Sequence, residues 1–193
     1  MNKKIIIIQG YLASGKSTFA RRAAKELKLP CFVKDTFKNA LCTSVLIDSQ
    51  AVSSQFSAVT FDAMMYTAER LMEVGFPLMI EGNFLPAGIK KTDEAGTIRT
   101  LIEKYGYHAL TFRFVGEIGV LYQRFLTREG TEERGKANTR FTPPTVGEFE
   151  QWCRNMDGFD IGGAVKKINA TDFTKVNFTR YIRIARKFLS LPQ

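Results

Sequence analysis

Gly10-Tyr11-Leu12-Ala13-Ser14-Gly15-Lys16-Ser17 follows a run of four isoleucines and matches the pattern G-x-x-x-x-G-K-[ST] at every fixed position. The two glycines leave room for backbone N–H groups to wrap closely around a polyphosphate. The lysine can then reach the β- and γ-phosphates, and the final hydroxyl can ligate Mg²⁺. This stretch therefore predicts a cradle for a nucleoside triphosphate. A glycine turn that merely joins a strand to a helix is the alternative.

The residues on either side of this loop support the first interpretation. Ile5-Ile6-Ile7-Ile8-Gln9 is a β-branched run typical of a central parallel strand that is buried on both faces. Thr18 to Leu29 predicts a helix, whose free N–H groups and positive dipole end favour a bound anion. Strand, glycine loop and helix is the context that the motif requires. We expect the nucleotide phosphates to contact Gly10, Ala13, Ser14, Gly15, Lys16, Ser17 and Thr18.

Length and composition are those of an ordinary globular protein. The chain has 193 residues, of which 45% are hydrophobic and 24% are charged. This size suits one domain with a full core, so we predict a single domain over residues 1–193. Four isoleucines are too few for a signal-peptide core or a membrane-spanning helix. We therefore expect a cytoplasmic protein that has no membrane partner.

The rest of the chain alternates between apolar runs and amphipathic helical patterns. Further strands are predicted at 31–34, 76–81, 109–115 and 164–168, and the lysines of the last strand suggest an edge position. Helices are predicted at 36–46, from about 61 to Gly75, at 93–105, at 117–128, from a capping box at Thr145, and at 178–189. Residues 47–57 lack clear periodicity and predict a loop or a short helix. Five strands alternating with helices indicate a three-layer α/β/α sandwich around a five-stranded parallel sheet.

A polar segment separates the 117–128 helix from Thr145. Arg124 and Arg128 lie four residues apart at the end of that helix, hence on one of its faces. Together with the glycine-containing segment that follows, they predict a mobile lid over about residues 124–144. The remaining basic residues of this segment are expected to face solvent for the most part, with one of them able to reach phosphate; they are Arg134, Lys136 and Arg140.

In layout, nearly the whole chain resembles the small P-loop kinases, although only the phosphate loop is sharply specific. That group includes shikimate and gluconate kinases, chloramphenicol phosphotransferase, zeta-type toxins and the kinase domain of polynucleotide kinases. The shared features are the first-strand phosphate loop, an acid that ends the second strand, an arginine-bearing helix with a flap, and Asn169-Ala170-Thr171 after the fifth strand. No Asp-x-Asp follows the second strand, which weakens a shikimate kinase assignment.

The resemblance implies roles on the acceptor side and on the lid. Asp35 would orient the attacking hydroxyl and accept its proton, and Lys38 would contact the acceptor. Of Arg124 and Arg128, one would stack on adenine and the other would stabilise the transferring phosphoryl group. The alternatives are that Asp35 merely caps a helix and that both arginines belong to a solvated helix face.

The resemblance also implies ATP and Mg²⁺ as cofactors. Lys16 and a metal ion at Ser17 would neutralise the β/γ oxygens, and Glu81 could hold the metal through a water molecule. Glu81 precedes Gly82-Asn83, which also suits a plain turn.

Charge distribution bears on the identity of the acceptor. The net charge is +9, yet residues 35–89 hold two Lys/Arg against six acids, and residues 39–69 hold no Lys or Arg. Because charge-assisted pairs usually grip a phosphate, we expect a small acceptor that is not a phosphate ester. The acidic section suggests a neutral or cationic molecule. The alternatives are a nucleic-acid 5′-hydroxyl as acceptor, or a module that binds and hydrolyses ATP without any acceptor.

Overall fold

The computed structural model describes residues 3–89, 92–132 and 134–190. The strands within these ranges are β1 (Lys4–Gly10), β2 (Cys31–Val33), β3 (Leu78–Glu81), β4 (His108–Val115) and β5 (Ala164–Asn169). The α-helices there are α1 (Lys16–Leu27), α2 (Lys34–Leu41), α3 (Gln50–Glu73), α4 (Glu94–Tyr105), α5 (Ile118–Arg128), α6 (Val146–Arg154) and α7 (Phe178–Leu189).

All five strands are parallel and lie in the order β2-β3-β1-β4-β5. β1 is central because both of its edges are paired, one with β3 and the other with β4. Its isoleucines alternate between two cores: Ile5 and Ile7 pack on one face of the sheet, and Ile6 and Ile8 on the other. A strand buried on both faces needs an unbroken apolar run, which these residues supply.

Helices cover both faces of the sheet. α1 and α7 pack on the Ile6 face, whereas α3 and α4 pack on the Ile5 face. A third, smaller cluster joins α5 and α6 to Tyr11 and Leu12 of the glycine loop. The predicted α/β/α sandwich around a five-stranded parallel sheet is confirmed, and β5 lies at an edge as its lysines suggested.

Residues 47–57 were predicted to form a loop or a short helix, but from Gln50 onward they belong to a long helix. α3 starts at Gln50, where Ser49 accepts a hydrogen bond from the N–H of Val52, and it continues for 24 residues. Its first turns carry Ser53 and Ser57, which face Lys38 of α2 rather than an apolar core. Apolar periodicity is absent from these turns for that reason. α2 is correspondingly shorter than predicted and ends at Leu41.

The capping box predicted at Thr145 is confirmed. The Thr145 hydroxyl accepts a hydrogen bond from the N–H of Glu148, and the Glu148 carboxylate accepts one from the N–H of Thr145. In the part of the chain that the structure describes, none of the helices has the length and apolar character needed to cross a bilayer.

Candidate functional site

The glycine loop turns sharply between β1 and α1. Gly10 and Gly15 have φ angles of 133° and 83°, and Ala13 has a φ of 54°. A Cβ at Gly10 would collide with the backbone of Phe114, and one at Gly15 would collide with the Phe173 ring. Both glycines are therefore required by close packing as well as by the left-handed backbone.

Lys16 is buried at the start of α1. Its Nζ donates a hydrogen bond to the carbonyl oxygen of Tyr11 at 2.6 Å, and the Ser14 hydroxyl donates to the same oxygen at 2.6 Å. Burial lowers the pKa of Lys16, while the nearby Glu81 and Asp35 carboxylates act in the opposite direction. The Tyr11 carbonyl of the glycine loop therefore holds the Lys16 ammonium group beside the predicted phosphate-binding turn.

Ser17 and Glu81 meet beside this lysine. The Ser17 hydroxyl donates to Glu81 Oε2 at 2.9 Å, across the β1–β3 pairing that sets Ile8 beside Glu81. Glu81 is only 4% exposed, and burial raises its pKa to about 7. The contact with Ser17 disfavours the interpretation of Glu81 as part of a plain turn.

This pair fits a Mg²⁺ ion that is held mainly by phosphates. Hydroxyl and carboxylate oxygens are the hard ligands that Mg²⁺ prefers, and nucleotide-bound Mg²⁺ takes one or two protein ligands besides phosphates and water. Within residues 3–89, 92–132 and 134–190, there is no cluster of three or more His, Cys, Asp or Glu that could hold a metal alone.

A small cavity, here called the loop cavity, opens above these groups. It is lined by residues 12–18, by Glu81 and by Asp35, and also by Arg128 and Arg134. The structure thus brings most of the predicted site residues together around the loop. Arg124 does not line this cavity; its guanidinium donates to the carbonyl oxygens of Ala170 and Thr171 at 2.7 and 2.5 Å. It therefore holds the turn that follows β5.

Asp35 lies in the first turn of α2, directly beyond β2. The N-cap of α2 is Val33, and no side chain caps this helix, so Asp35 is not the capping residue. Its side chain is 47% exposed, and Oδ2 lies 3.2 Å from the guanidinium of Arg134. It lines the loop cavity and also a second, larger cavity.

This second cavity, here called the side cavity, has a volume of about 590 Å³. Ligand sites for small molecules commonly have volumes of about 300–1,000 Å³. Its walls come from α2, the first turns of α3, the 129–144 segment and α6. The charged side chains that line it are Lys34, Lys38, Arg134, Arg140, Asp35 and Glu94.

Two of the lysines in the side cavity are buried in different ways. Lys34 forms a buried ion pair with Glu94, whose other oxygen accepts a hydrogen bond from the N–H of Leu85. Lys38 donates instead to the hydroxyls of Ser53 and Ser57, at 2.8 and 3.0 Å. The structure places the predicted acceptor ligand Lys38 in the same cavity as Asp35.

The expectation that Arg134 and Arg140 face solvent was wrong. The side chain of Arg134 is 14% exposed, because it lies between Asp35 and Glu129. Arg140 stacks on Trp152, with its guanidinium carbon 4.1 Å from the ring centroid. The side chain of Lys136 lies outside the described residues.

The 129–144 segment docks on α2 and α3 in this structure. Asn138 donates to Asn39 Oδ1 and to the carbonyl oxygen of Asp35, both at 2.9 Å. Ser53 donates to the carbonyl oxygen of Ala137 at 3.1 Å. Movement of this segment as a lid stays a prediction.

Sequence reasoning did not place four charged residues in the side cavity, namely Lys34, Glu94, Arg134 and Arg140. It named Arg134 and Arg140 only as flap cations, one of which could reach phosphate. The four residues come from distant parts of the chain and form no motif. The one available signal was Lys34 at the end of an apolar run, where a buried lysine requires a partner.

The structure was compared with known proteins. No family model matches the chain, and neither does any curated protein. Solved structures do match. A candidate kinase from Chloroflexus aurantiacus J-10-fl has a TM-score of 0.85 at 21% identity, over 97% of this chain and 99% of that one.

Two further structures are similar over most of their length. A sugar kinase from Janibacter sp. HTCC2649 has a TM-score of 0.60 at 15% identity, covering 98% of this chain and 95% of the other. A gluconokinase from Sinorhizobium meliloti 1021 has a TM-score of 0.57 at 15% identity, covering 98% and 93%. Together with the phosphate loop at the end of β1, these likenesses show that the chain has the fold of the P-loop kinases.

Proposed function

We propose that this protein is an ATP-dependent kinase that transfers the γ-phosphoryl group to a hydroxyl of a small, non-phosphorylated molecule. One observation carries the proposal: Asp35 lines both the loop cavity and the side cavity. A carboxylate at that junction can contact an acceptor on one side while phosphates occupy the other. The similar fold of the solved kinases supports the same reaction class.

The loop cavity would hold the triphosphate. Backbone N–H groups of residues 13–18 would face the phosphate oxygens, and Lys16 would exchange the Tyr11 carbonyl for them. Ser17 and Glu81 would hold Mg²⁺, which supplies charge neutralisation at the β- and γ-oxygens. The contacts of Arg124 with the turn after β5 would place it on the nucleotide side, near the base.

The side cavity would hold the acceptor, with its hydroxyl at Asp35. Asp35 would accept the hydroxyl proton as the new oxygen–phosphorus bond forms and the bond between the γ-phosphorus and the β–γ bridging oxygen breaks, releasing ADP. Arg128 lines the loop cavity, where it would stabilise charge on the transferring group. Arg134 contacts Asp35 in this structure and would also lie within the reacting region.

The structure does not support a cationic acceptor. Of the six acids in residues 35–89, Asp35 and Glu81 line the two cavities, and Asp35 alone lines the side cavity. The acidic section of the sequence is therefore not an acidic acceptor site. The prediction of a non-phosphorylated acceptor was based on the absence of Lys and Arg from residues 39–69, but cations from outside that range line the side cavity. The panel that tests this prediction therefore includes phosphorylated compounds.

The test is incorporation of the γ-phosphate of ATP into a panel of small hydroxyl compounds, compared between the wild type and Asp35→Asn. We expect one class of compound to be phosphorylated, and the substitution to lower that rate by about 10²- to 10⁴-fold. Nucleotide affinity should change far less than this rate, because Lys16, Ser17 and the N–H groups of the loop would hold the phosphates. A nucleoside monophosphate as the best acceptor, or ATP turnover that Asp35→Asn leaves unchanged, would contradict the proposal.

A further inference from the structure

The side cavity has more positive than negative charge on its walls. Counting only residues that the structure describes, four cations line it, Lys34, Lys38, Arg134 and Arg140, against the two carboxylates of Asp35 and Glu94. Each carboxylate is already engaged: Glu94 pairs with Lys34, and Asp35 pairs with Arg134. Among the residues that the structure describes, neither Lys38 nor Arg140 forms an ion pair with a carboxylate. A buried cation in this position carries a large desolvation cost.

Lys38 is the more deeply buried of the two. The residue is 5% exposed, and its Nζ donates to two serine hydroxyls of α3. Among the described residues, no carboxylate oxygen lies within the 4 Å of an ion pair with this group. Burial, together with the positive charges of Arg134 and Arg140, lowers the pKa of Lys38 to about 8, although the nearby Asp35 carboxylate acts in the opposite direction. An anion bound beside Lys38 would favour the charged ammonium and so counteract burial and the two arginine charges.

Arg140 approaches the same cavity from the other wall. Its guanidinium stacks on Trp152, and in the described parts of the chain no carboxylate forms an ion pair with it. The Glu129 carboxylate accepts from the backbone N–H of Arg140 at 2.7 Å. A guanidinium that contacts an indole face can still donate several N–H groups to an oxyanion.

The first turns of α3 add a third positive element. Gln50 and Ser53 line the side cavity at the N-terminal end of this 24-residue helix. Unsatisfied N–H groups and the helix dipole make such an end favourable for negative charge. This helix end adds to the positive charges of Lys38 and Arg140, which line the same cavity.

We infer that Lys38, Arg140 and the first turns of α3 form an oxyanion subsite in the side cavity, and that the acceptor is a small hydroxylated anion. The anionic group would occupy this subsite while a hydroxyl on the same molecule reaches Asp35. The second half of the inference rests on the proposed kinase function. For a non-phosphorylated acceptor, the anionic group is a carboxylate.

Trp152 provides a direct test, since it is the only tryptophan in the chain and it touches Arg140. Its emission can be titrated with four six-carbon probes that differ at one end: an aldonate, the matching alditol, the aminoalditol and the alditol phosphate. We expect saturable changes with the aldonate and the alditol phosphate, and none with the other two probes at equal concentration. Equal responses to the neutral probe, or none to either anion, would overturn the subsite.

Substitutions then locate the anion. Arg140→Gln and Lys38→Met should each weaken aldonate binding by about tenfold or more, since a hydrogen bond to a charged group contributes about 1.5–3 kcal/mol. Arg154→Gln and Lys25→Met are matched controls on exposed helix faces and should leave binding unchanged. Unchanged binding in both cavity variants would also overturn the subsite.

The binding measurement needs neither ATP nor phosphate transfer, so it separates the two proposals. Anion binding that depends on Arg140, without transfer to any probe, would support the subsite and contradict the kinase proposal. Transfer to the alditol phosphate in preference to the aldonate would support the subsite and contradict a non-phosphorylated acceptor. Transfer to the alditol alone would overturn the anionic acceptor.

Discussion

The loop cavity and the side cavity meet at Asp35 but are built in different ways. One continuous stretch, residues 12–18, supplies nearly half of the residues that line the loop cavity, and Glu81 and Asp35 add to it from the ends of neighbouring strands. The side cavity is assembled from α2, α3, the 129–144 segment and α6, with few consecutive residues. A phosphate cradle depends on local backbone geometry, whereas an acceptor site depends on how distant elements pack. The two cavities should therefore respond separately to substitution.

Lys16→Met is expected to have the largest effect, because it removes the cation that faces the β- and γ-phosphates. Transfer should fall by about 10²- to 10³-fold or more, and nucleotide affinity should fall with it. Calorimetric titration with MgATP and a transfer assay measure the two effects. Anion binding in the side cavity, followed by Trp152 emission, should stay within about twofold. If anion binding falls as far as nucleotide binding, the two cavities do not act separately.

Lys34→Met is expected to lower the free energy of unfolding, because it breaks a buried ion pair in the lining of the side cavity. Removing one partner of a buried ion pair leaves Glu94 buried with its charge, which costs about 3–5 kcal/mol of unfolding free energy. Urea denaturation measures the loss. The matched control is Lys104→Met, which breaks an exposed pair with Glu69 and should leave the unfolding free energy nearly unchanged.

A double variant shows whether the loss of stability comes from the unpaired Glu94 charge or from disturbed packing around Lys34. Removing both charges, as Lys34→Met with Glu94→Gln, should recover much of the loss, because no unpaired charge stays buried and the glutamine oxygen can still accept from the N–H of Leu85. If Lys34→Met alone is as stable as the wild type, the pair does not hold α4 to the cavity wall.

The smallest expected effect is a pH dependence of the side cavity. Lys38 has a folded-state pKa of about 8, below its ordinary value of 10.5, because it is buried. Anion binding requires the charged ammonium, so affinity should be full below pH 8 and should decline as the pH rises through 8. Titration of Trp152 emission with the aldonate at several pH values measures this decline. Lys38→Met should have lower affinity and a flat profile, and an equal decline in that variant would contradict the assignment.

The order of the elements was predictable because each follows from a local pattern. The isoleucine run, the glycine loop and the apolar stripe of α1 specify β1–loop–α1 without any knowledge of the fold. Parallel strands place their carboxyl ends at one edge, which is why Asp35 and Glu81 could be expected beside the loop.

Prediction failed where polar residues face a cavity. The serines at the start of α3 break the apolar periodicity by which a helix is recognised, because they face Lys38. Arg134 and Arg140 have the composition of an exposed flap, and only tertiary contacts with Asp35, Glu129 and Trp152 bury them. A single sequence contains no local signal for such contacts.

Gly10 packs directly against the backbone of Phe114, and this contact has a consequence for folding of the chain during its synthesis. The N–H of Tyr11 donates to the carbonyl oxygen of Phe114 at 2.8 Å, and β1 is paired on both edges by strands that come later in the sequence. In a ribosome-bound chain from which β4 has not yet emerged, the strand against which the glycine loop packs is missing. Because sheets of parallel strands pair residues far apart in sequence, their assembly waits for the later strand. Nascent chains stalled before residue 114 should therefore be unable to retain nucleotide, although their entire phosphate-binding motif has already been translated.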